Sequence, residues 1–564
     1  MRSPLLILAA LALTLASILP ARGATRVLGW ANAPKGGTFT IGFPSYPKAL
    51  LFYLGFDELS AGINALILET LLDSDPETHE PVPLLATEWT ISNDKRVFTF
   101  KIHPAARFSD GQPVTSEDVK FTWDTVMNPK HKTAPMQAYF SSFESCTAPD
   151  PSTVVFRAKT LHFQNLEKLG GLFILPKHFF SKGDFNKAFN TKLLGSGPYI
   201  LDLAQTGERV VVKRHTGYWG KALLQNVGRY NFDKIVFKAV PDYNVQFEMF
   251  KKGDLDYFYF LVAKMWSTET DGPQFQKSYI LKLKAENKLA YATQGIAWNL
   301  RRPLFKDVRV RMALSHLMNR EKMISELFFN NYVATAGVVP LTSDYHSPRN
   351  TPVAYDPKRA KTLLEEAGWT KVGTDGVLIR DGVRFEYEHL TDNPSMHRWL
   401  TVYQEELKKM GIKMNLRTQD WATKIKLTDD WQFDATDIAR GRDIEPSDFN
   451  VMWGSKEADI KGSANITGYK NPDIDALAQK IDETFDRAAR IPLVRKLEEI
   501  LSRDQPLSFA WEPRFIRLAH WNRYSFPGKG YFAFSTWSSA FHYWWYDAEK
   551  DKRLQEAMKS GASL

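Results

Sequence analysis

The stretch WNLRRPLFKDVRVRMALSHLMNRE, Trp298–Glu321, compresses a strand end, a proline turn and the start of two helices into one short segment. QGIAWNL, residues 294–300, reads as a strand that stops at Arg301-Arg302-Pro303, where proline fixes φ and removes a donor. Asp307 is placed to cap the helix that follows. Val310, Ala313, Leu314, Leu317 and Met318 then recur at i, i+3, i+4, i+7 and i+8, one core-facing stripe. Asn319 ends that helix and caps another carrying Ile324, Leu327 and Phe328. Arg309 and Arg311 fall off the stripe and are expected on a solvated face. A strand that hands over directly to amphipathic helices predicts a mixed α/β domain in mid-chain.

Similar signals flank it. RVFTFKI places Phe98, Phe100 and Ile102 on one face, as a half-buried strand does. Thr115 with Asp118 three residues later makes a capping box for a helix, and STVVFRAK reads as a further strand. YDPKRAKTLLEEAGW is a helix capped by Asp356, opened by Pro357 and closed by Gly368. VLIRDGVRFEYEHL is a hairpin turning at Asp381-Gly382. NPDIDALAQKIDETF and ARIPLVRKLEEILSRDQP give two consecutive helices. No internal repeat or low-complexity tract interrupts them.

A chain of 564 residues exceeds what one core supports, so two or three domains are expected. Residues 1–23 read as a secretory signal peptide: Arg2, an apolar run from Leu5 to Leu19, then Ala21 and Gly23 before a cleavage at Ala24. No cysteine stands at that point, so a lipid anchor is not expected. The lone Cys146 allows no internal disulfide, and export without disulfides fits a bacterial periplasm. The formal charge of +9 is spread along the chain without a basic run, which argues against nucleic-acid binding. The 16 Trp, 21 Tyr and 37 Phe are read mainly as core material.

Catalytic signatures are missing from the sequence. It has neither a nucleophile elbow nor a phosphate-cradling Gly-rich loop. Its 12 His never fall at i, i+4, so neither a zinc site nor any other metal or cofactor is expected.

Five ordered motifs carry a resemblance over nearly the whole mature chain. They are ETLLDSDPETHEPVPLLATEWTISNDKRVFTFKIHPAARFSDGQPVTSEDVKFTWD; LGSGPYIL with RHTGYWG; RPLFKDVRVRMALSHLMNRE; YDPKRAKTLLEEAGW; and GYKNPDIDALAQKID. The chain resembles the extracellular solute-binding proteins of peptide-importing ABC transporters, family 5. NAPKGG, RYNFDKI and WWYDAEK look more specifically like the Yej-type branch, associated with oligopeptides and microcin C uptake. The resemblance implies an α/β fold of the two-lobe periplasmic binding protein type (class II, cluster C), with mixed sheets flanked by helices and a hinge. Lobe I would comprise residues 24–68, 196–288 and 515–564, with an accessory domain, 69–195, inserted. Lobe II would span 289–514, and the opening stretch is where the chain enters it.

The function implied is that of a periplasmic, soluble, monomeric binder. It would capture oligopeptides or peptide-like conjugates between closing lobes and deliver them to an inner-membrane ABC permease, with no chemistry on the ligand. Within FDATDIARGRDIEPSDF, the resemblance puts Asp443 where oligopeptide binders pair the peptide's amino terminus; a structural salt bridge is the alternative. The sequence departs from the family pattern at Asp437, where a cation is frequent, and at Arg440, where an aromatic is common. Arg440 and Arg442 beside Asp443 leave room for an anionic ligand, opine-like or bearing phosphate or a nucleotide. Tyr46, Trp266 and Trp421 are candidate ligand contacts, with core packing as the alternative for each. Trp298, Trp544, Trp545 and Asp547 are read as fold-supporting. A sensor or scavenger on the same fold, and a secreted hydrolase, are the rival readings.

Overall fold

The computed structural model describes residues 26–187, 189, 191–289, 293–393, 396–441 and 444–564. Residues 1–23, expected to be a signal peptide, lie outside them. The chain divides into two compact units. The first comprises the chain up to Phe258 with Lys277–Leu281 and Ala519–Leu564, and the second comprises Tyr259–Gln276 and Lys282–Leu518.

A seven-stranded mixed sheet organises the first unit. Its spatial order is Ile280–Ala285, Ile516–Trp521, Tyr257–Tyr259, Thr38–Phe43, Lys234–Ala239, Arg209–Arg214 and Tyr199–Gln205. The division between the units falls inside the first three of these strands. Thr38–Phe43 runs parallel to Lys234–Ala239, and the remaining pairs toward Tyr199–Gln205 are antiparallel. Phe39, fully buried, stacks on Phe232 at 4.9 Å and meets Tyr524 edge-on at 5.2 Å. Trp544, also buried, donates its indole N–H to Gly530 O at 2.9 Å, and Asp547 caps the last helix, Ala548–Ser560.

A separate four-stranded antiparallel sheet belongs to the same unit, in the order Ala86–Ile91, Val97–Ile102, Thr153–Ala158, Phe143–Asp150. Phe98, Phe100 and Ile102 point into its core as the alternation predicts. Helix Ser116–Val126 starts with the expected capping box, Thr115 N donating to Asp118 Oδ2 at 2.9 Å. Its Trp123 packs edge-on against Phe140, Phe143 and Phe156. Burying side chains of this size contributes about 1.5–3 kcal/mol each.

The second unit is built on a five-stranded sheet, ordered Lys413–Thr418, Glu386–Thr391, Ala435–Arg440, Thr293–Trp298, Leu507–Phe509. Glu386–Thr391 is parallel to both of its neighbours, and Thr293–Trp298 is antiparallel to both of its own. Gly295 lies between Ile438 and Phe509 in the ladder. A Cβ there would fall 2.3 Å from Ser508 O, so the strands meet this closely because the position is glycine. Helices Val308–His316, Arg320–Glu326, Pro357–Glu366 and His397–Lys409 flank this sheet. Their inward residues, from Val310 and Leu314 to Leu363, Leu400 and Tyr403, form one core with Trp298 and Trp511. Trp298 is fully buried and donates to Ser508 Oγ at 3.1 Å, as a structural residue does.

Arg311 corrects an expectation. Arg309 is partly exposed and pairs with Asp307 at 2.6 Å, but Arg311 is only 4% exposed. Its guanidinium donates to the carbonyls of Phe305 (2.7 Å), Lys306 (2.8 Å), Asp504 (2.5 Å) and Gln505 (3.1 Å). It closes the orphan carbonyls at the end of helix Arg487–Asp504, which no local pattern around position 311 announces. Among the described residues, no helix is long and apolar enough to cross a membrane, and no cluster of metal-ligating side chains occurs.

Candidate functional site

The site grows from the ladder of the second unit. Antiparallel pairing of Thr293–Trp298 with Ala435–Arg440 sets Arg440 opposite Thr293. Because side chains alternate along a strand, Ile438 and Arg440 share one face, and both line a cavity of about 300 Å3 together with Thr293. The far wall comes from the segment after the strand and the short helix Phe449–Trp453, which contribute Phe449, Met452 and Trp453. Ala464 and Ile466 complete a mostly apolar enclosure, of the size at which small-solute pockets begin.

Arg440 is the cation in this enclosure, and Asp448 lines it as well. Its Nη1 donates to Ala464 O at 2.6 Å, and no described carboxylate lies within ion-pair distance of it. Burial alone lowers its pKa below the ordinary guanidinium value. Among the described residues Ala464 O is its one hydrogen-bond acceptor, and the planar fork of a guanidinium matches a carboxylate or phosphate.

Asp437, on the opposite face of the same strand, is not available to a solute. Lys424 Nζ lies 3.0 Å from Asp437 Oδ2 and 2.7 Å from Asp392 Oδ1, and buried His389 lies 3.5 Å from Asp437 Oδ1. Burial opposes ionisation of Asp437, but His389 and the Lys424 ammonium outweigh it and hold the carboxyl well below the usual range. Lys424, from helix Trp421–Asp429, is the cation that pairs with Asp437.

The loop after Arg440 is tied down by Glu445. Its Oε2 accepts from Arg490 Nη2 at 2.6 Å and from the Tyr345 hydroxyl, and its Oε1 accepts from Arg487 Nε at 3.0 Å. Burial would raise the Glu445 pKa, but these three donors lower it, so the clamp is ionic. Pro446, Ser447 and Asp448, which follow directly, line the cavity.

The other sequence candidates are placed as follows. Arg442 and Asp443 lie outside the described residues, immediately between Arg440 and the Glu445 clamp. Trp421 is the first residue of its helix and 64% exposed; it is not part of the cavity wall. Trp266 is 3% exposed, packed against Phe260, with the Lys282 ammonium 4.1 Å from its ring centroid. Tyr46 belongs to the first unit and is half-buried; burial raises its hydroxyl pKa, with Thr206 opposing. Of the candidates in the described residues, Arg440 alone lines the cavity. Sequence reading missed Ile438, Phe449, Met452, Trp453 and Glu445. The alternation of TDIAR could have paired Ile438 with Arg440, whereas nothing local marks the loop residues.

Comparison with known proteins supplies the family. Residues 80–461 match the sequence family described as "Bacterial extracellular solute-binding proteins, family 5 Middle". The chain is 29% identical over 522 residues to "Uncharacterized protein YejA" of Escherichia coli (strain K12), covering 86% of this chain and 85% of the relative. It is 28% identical over 519 residues to "Probable peptide-binding protein YejA" of Agrobacterium fabrum, covering 82% of each. Among solved structures, the oligopeptide-binding protein AppA of Bacillus subtilis, in complex with a nonapeptide, superposes with a TM-score of 0.70 at 24% identity. That match covers 91% of this chain and 99% of AppA. The fold is that of the two-lobe periplasmic binding proteins, and the chain belongs to the bacterial extracellular solute-binding proteins, family 5.

Proposed function

We propose that this chain is the periplasmic solute-binding component of an ABC importer, taking up oligopeptides or peptide-like conjugates and handing them unchanged to an inner-membrane permease. The observation that carries the reading is the cavity in the second unit, a mostly apolar chamber with a part-buried guanidinium that, among the described residues, donates to one carbonyl and meets no carboxylate at ion-pair distance. A peptide meets both demands, with apolar side chains for the wall and a terminal carboxylate for Arg440. Arg442 and Asp443, directly downstream, are proposed to complete the charged end of the site, Asp443 facing the ligand's ammonium. The peptide reading is supported by the names of the Agrobacterium relative and of AppA.

The proposal includes the domain division anticipated from the sequence, with residues 69–195 as an accessory domain. It also includes export as a monomer after removal of residues 1–23, checked by the intact mass of the secreted chain. An anionic non-peptide solute is the second reading, favoured by Arg440 standing where an aromatic is common.

Calorimetry with trileucine, its N-acetyl form and its C-terminal amide tests the site. The amide should bind at least roughly ten-fold more weakly than the free acid, the scale of a desolvated charge pair. N-acetylation should cost a similar factor through Asp443. Binding indifferent to both caps would overturn this arrangement, and release of leucine during incubation would favour the hydrolase reading.

A further inference from the structure

A second pocket, of about 220 Å3, opens on the first unit and is unrelated to the cavity at Arg440. Phe52, Phe56, Met136, Tyr139, Lys168 and Phe173 stand around it. Phe52 stacks on Phe56 at 5.4 Å and meets Phe173 edge-on at 6.0 Å, so the wall is a continuous aromatic surface. The two rim aromatics are strongly exposed, Phe56 at 51% and Tyr139 at 45%. Phe56 also has φ of 47°, the left-handed region that a residue with a Cβ enters only at a cost. Half-exposed ring area returns little stability for that cost. A glycine would serve the backbone better, so the ring has another use.

Lys168 supplies the polar element. Its ammonium lies 5.2 Å from the Tyr139 ring centroid and forms no ion pair with a described residue. A cation over an aromatic face at the edge of an apolar pocket is complementary to an anion whose body is apolar. The volume admits one ring or branched chain with a short acid arm and excludes a peptide of several residues.

We propose that this pocket binds a small aryl- or branched-alkyl carboxylate, with its ring between Phe52, Phe56 and Phe173 and its carboxylate on Lys168. It is a site apart from the solute cavity, and its occupant is a free small acid.

The test uses the full mature chain labelled with [methyl-13C]methionine and titrated with 3-phenylpropionate. Met136 lines this pocket and Met452 lines the other cavity, so the two sites report separately. The Met136 methyl signal, assigned through Met136→Leu, should shift and saturate in wild type and equally in Arg440→Met, whatever Met452 does. The neutral isostere 3-phenylpropan-1-ol should bind roughly five-fold more weakly, and Lys168→Met should erase that difference. Phe56→Gly should abolish the shift while leaving Tm unchanged or raised. The proposal is overturned if Met136 does not respond, if its shift never saturates, or if acid and alcohol bind alike. A drop in Tm in Phe56→Gly with the titration unaltered would equally overturn it, because the ring would then be structural.

Discussion

Arg440 holds a charge in a place that an apolar side chain would fill at less cost. Burial lowers its pKa, one carbonyl among the described residues accepts from it, and the cavity wall includes Ile438, Phe449 and Trp453 beside the acid Asp448. Such a group costs stability unless a ligand completes it. Arg440→Met is therefore expected to leave Tm unchanged or slightly higher while weakening solute binding by about 2–5 kcal/mol. Calorimetry and thermal unfolding on the same preparation check both halves. Asp443→Ala is expected to weaken binding on the same order if it meets an ammonium. Equal affinity in that variant would remove Asp443 from the site. At this scale the sequence was informative where chemistry is local. The unusual ARGRD run singled out Arg440, and Trp298 was read as structural. It was uninformative where a partner comes from afar. Arg311 is buried by carbonyls at 504 and 505, and Trp266, on a short helix, is capped by Lys282 from strand Ile280–Ala285.

Elements explain how that charge is positioned. Helix Trp421–Asp429 is pinned by Lys424, 8% exposed, between Asp392 and Asp437, whose strand ends in Arg440. Lys424→Met leaves two carboxylates without their cation and should destabilise the chain by about 3–5 kcal/mol in denaturant titrations. Lys426→Met, on the same helix but 79% exposed, should change stability by less than about 0.5 kcal/mol. In the first unit, Glu69 accepts from Trp219 Nε1 at 2.7 Å and from the Tyr218 hydroxyl, and burial pushes its pKa up to about 7. A carboxyl whose folded pKa exceeds its unfolded value stabilises most when both states are protonated. That stability falls as pH rises from about 4.5 to about 7 and is level above. The span is worth roughly 3 kcal/mol, and Glu69→Gln should flatten this part of the stability–pH curve. A curve of unchanged slope would remove Glu69 as its source. Helices with caps and stripes, such as Val308–His316 and Pro357–Glu366, were legible because their signals are periodic and local. The cavity was not, because it depends on Thr293 being in register with Arg440 and on a loop held by Arg487 and Arg490.

For the whole molecule, five ordered motifs outweighed any single feature, which is why the family was readable from sequence while the site was read only in part. A binder for a small solute has a property that its fold alone does not guarantee: ligand present at 100 times Kd raises stability by about 2.7 kcal/mol without altering the ligand. The central claim is that this chain captures a solute at Arg440 and returns it intact. Native mass spectrometry of protein purified without refolding tests it most directly, with wild type and Arg440→Met side by side and the released molecules fragmented. The account predicts that wild type carries short peptides or peptide-like conjugates bearing a free carboxylate, and that Arg440→Met comes off empty. The same molecules retained by both proteins, or wild type carrying solutes without any anionic group, would contradict it.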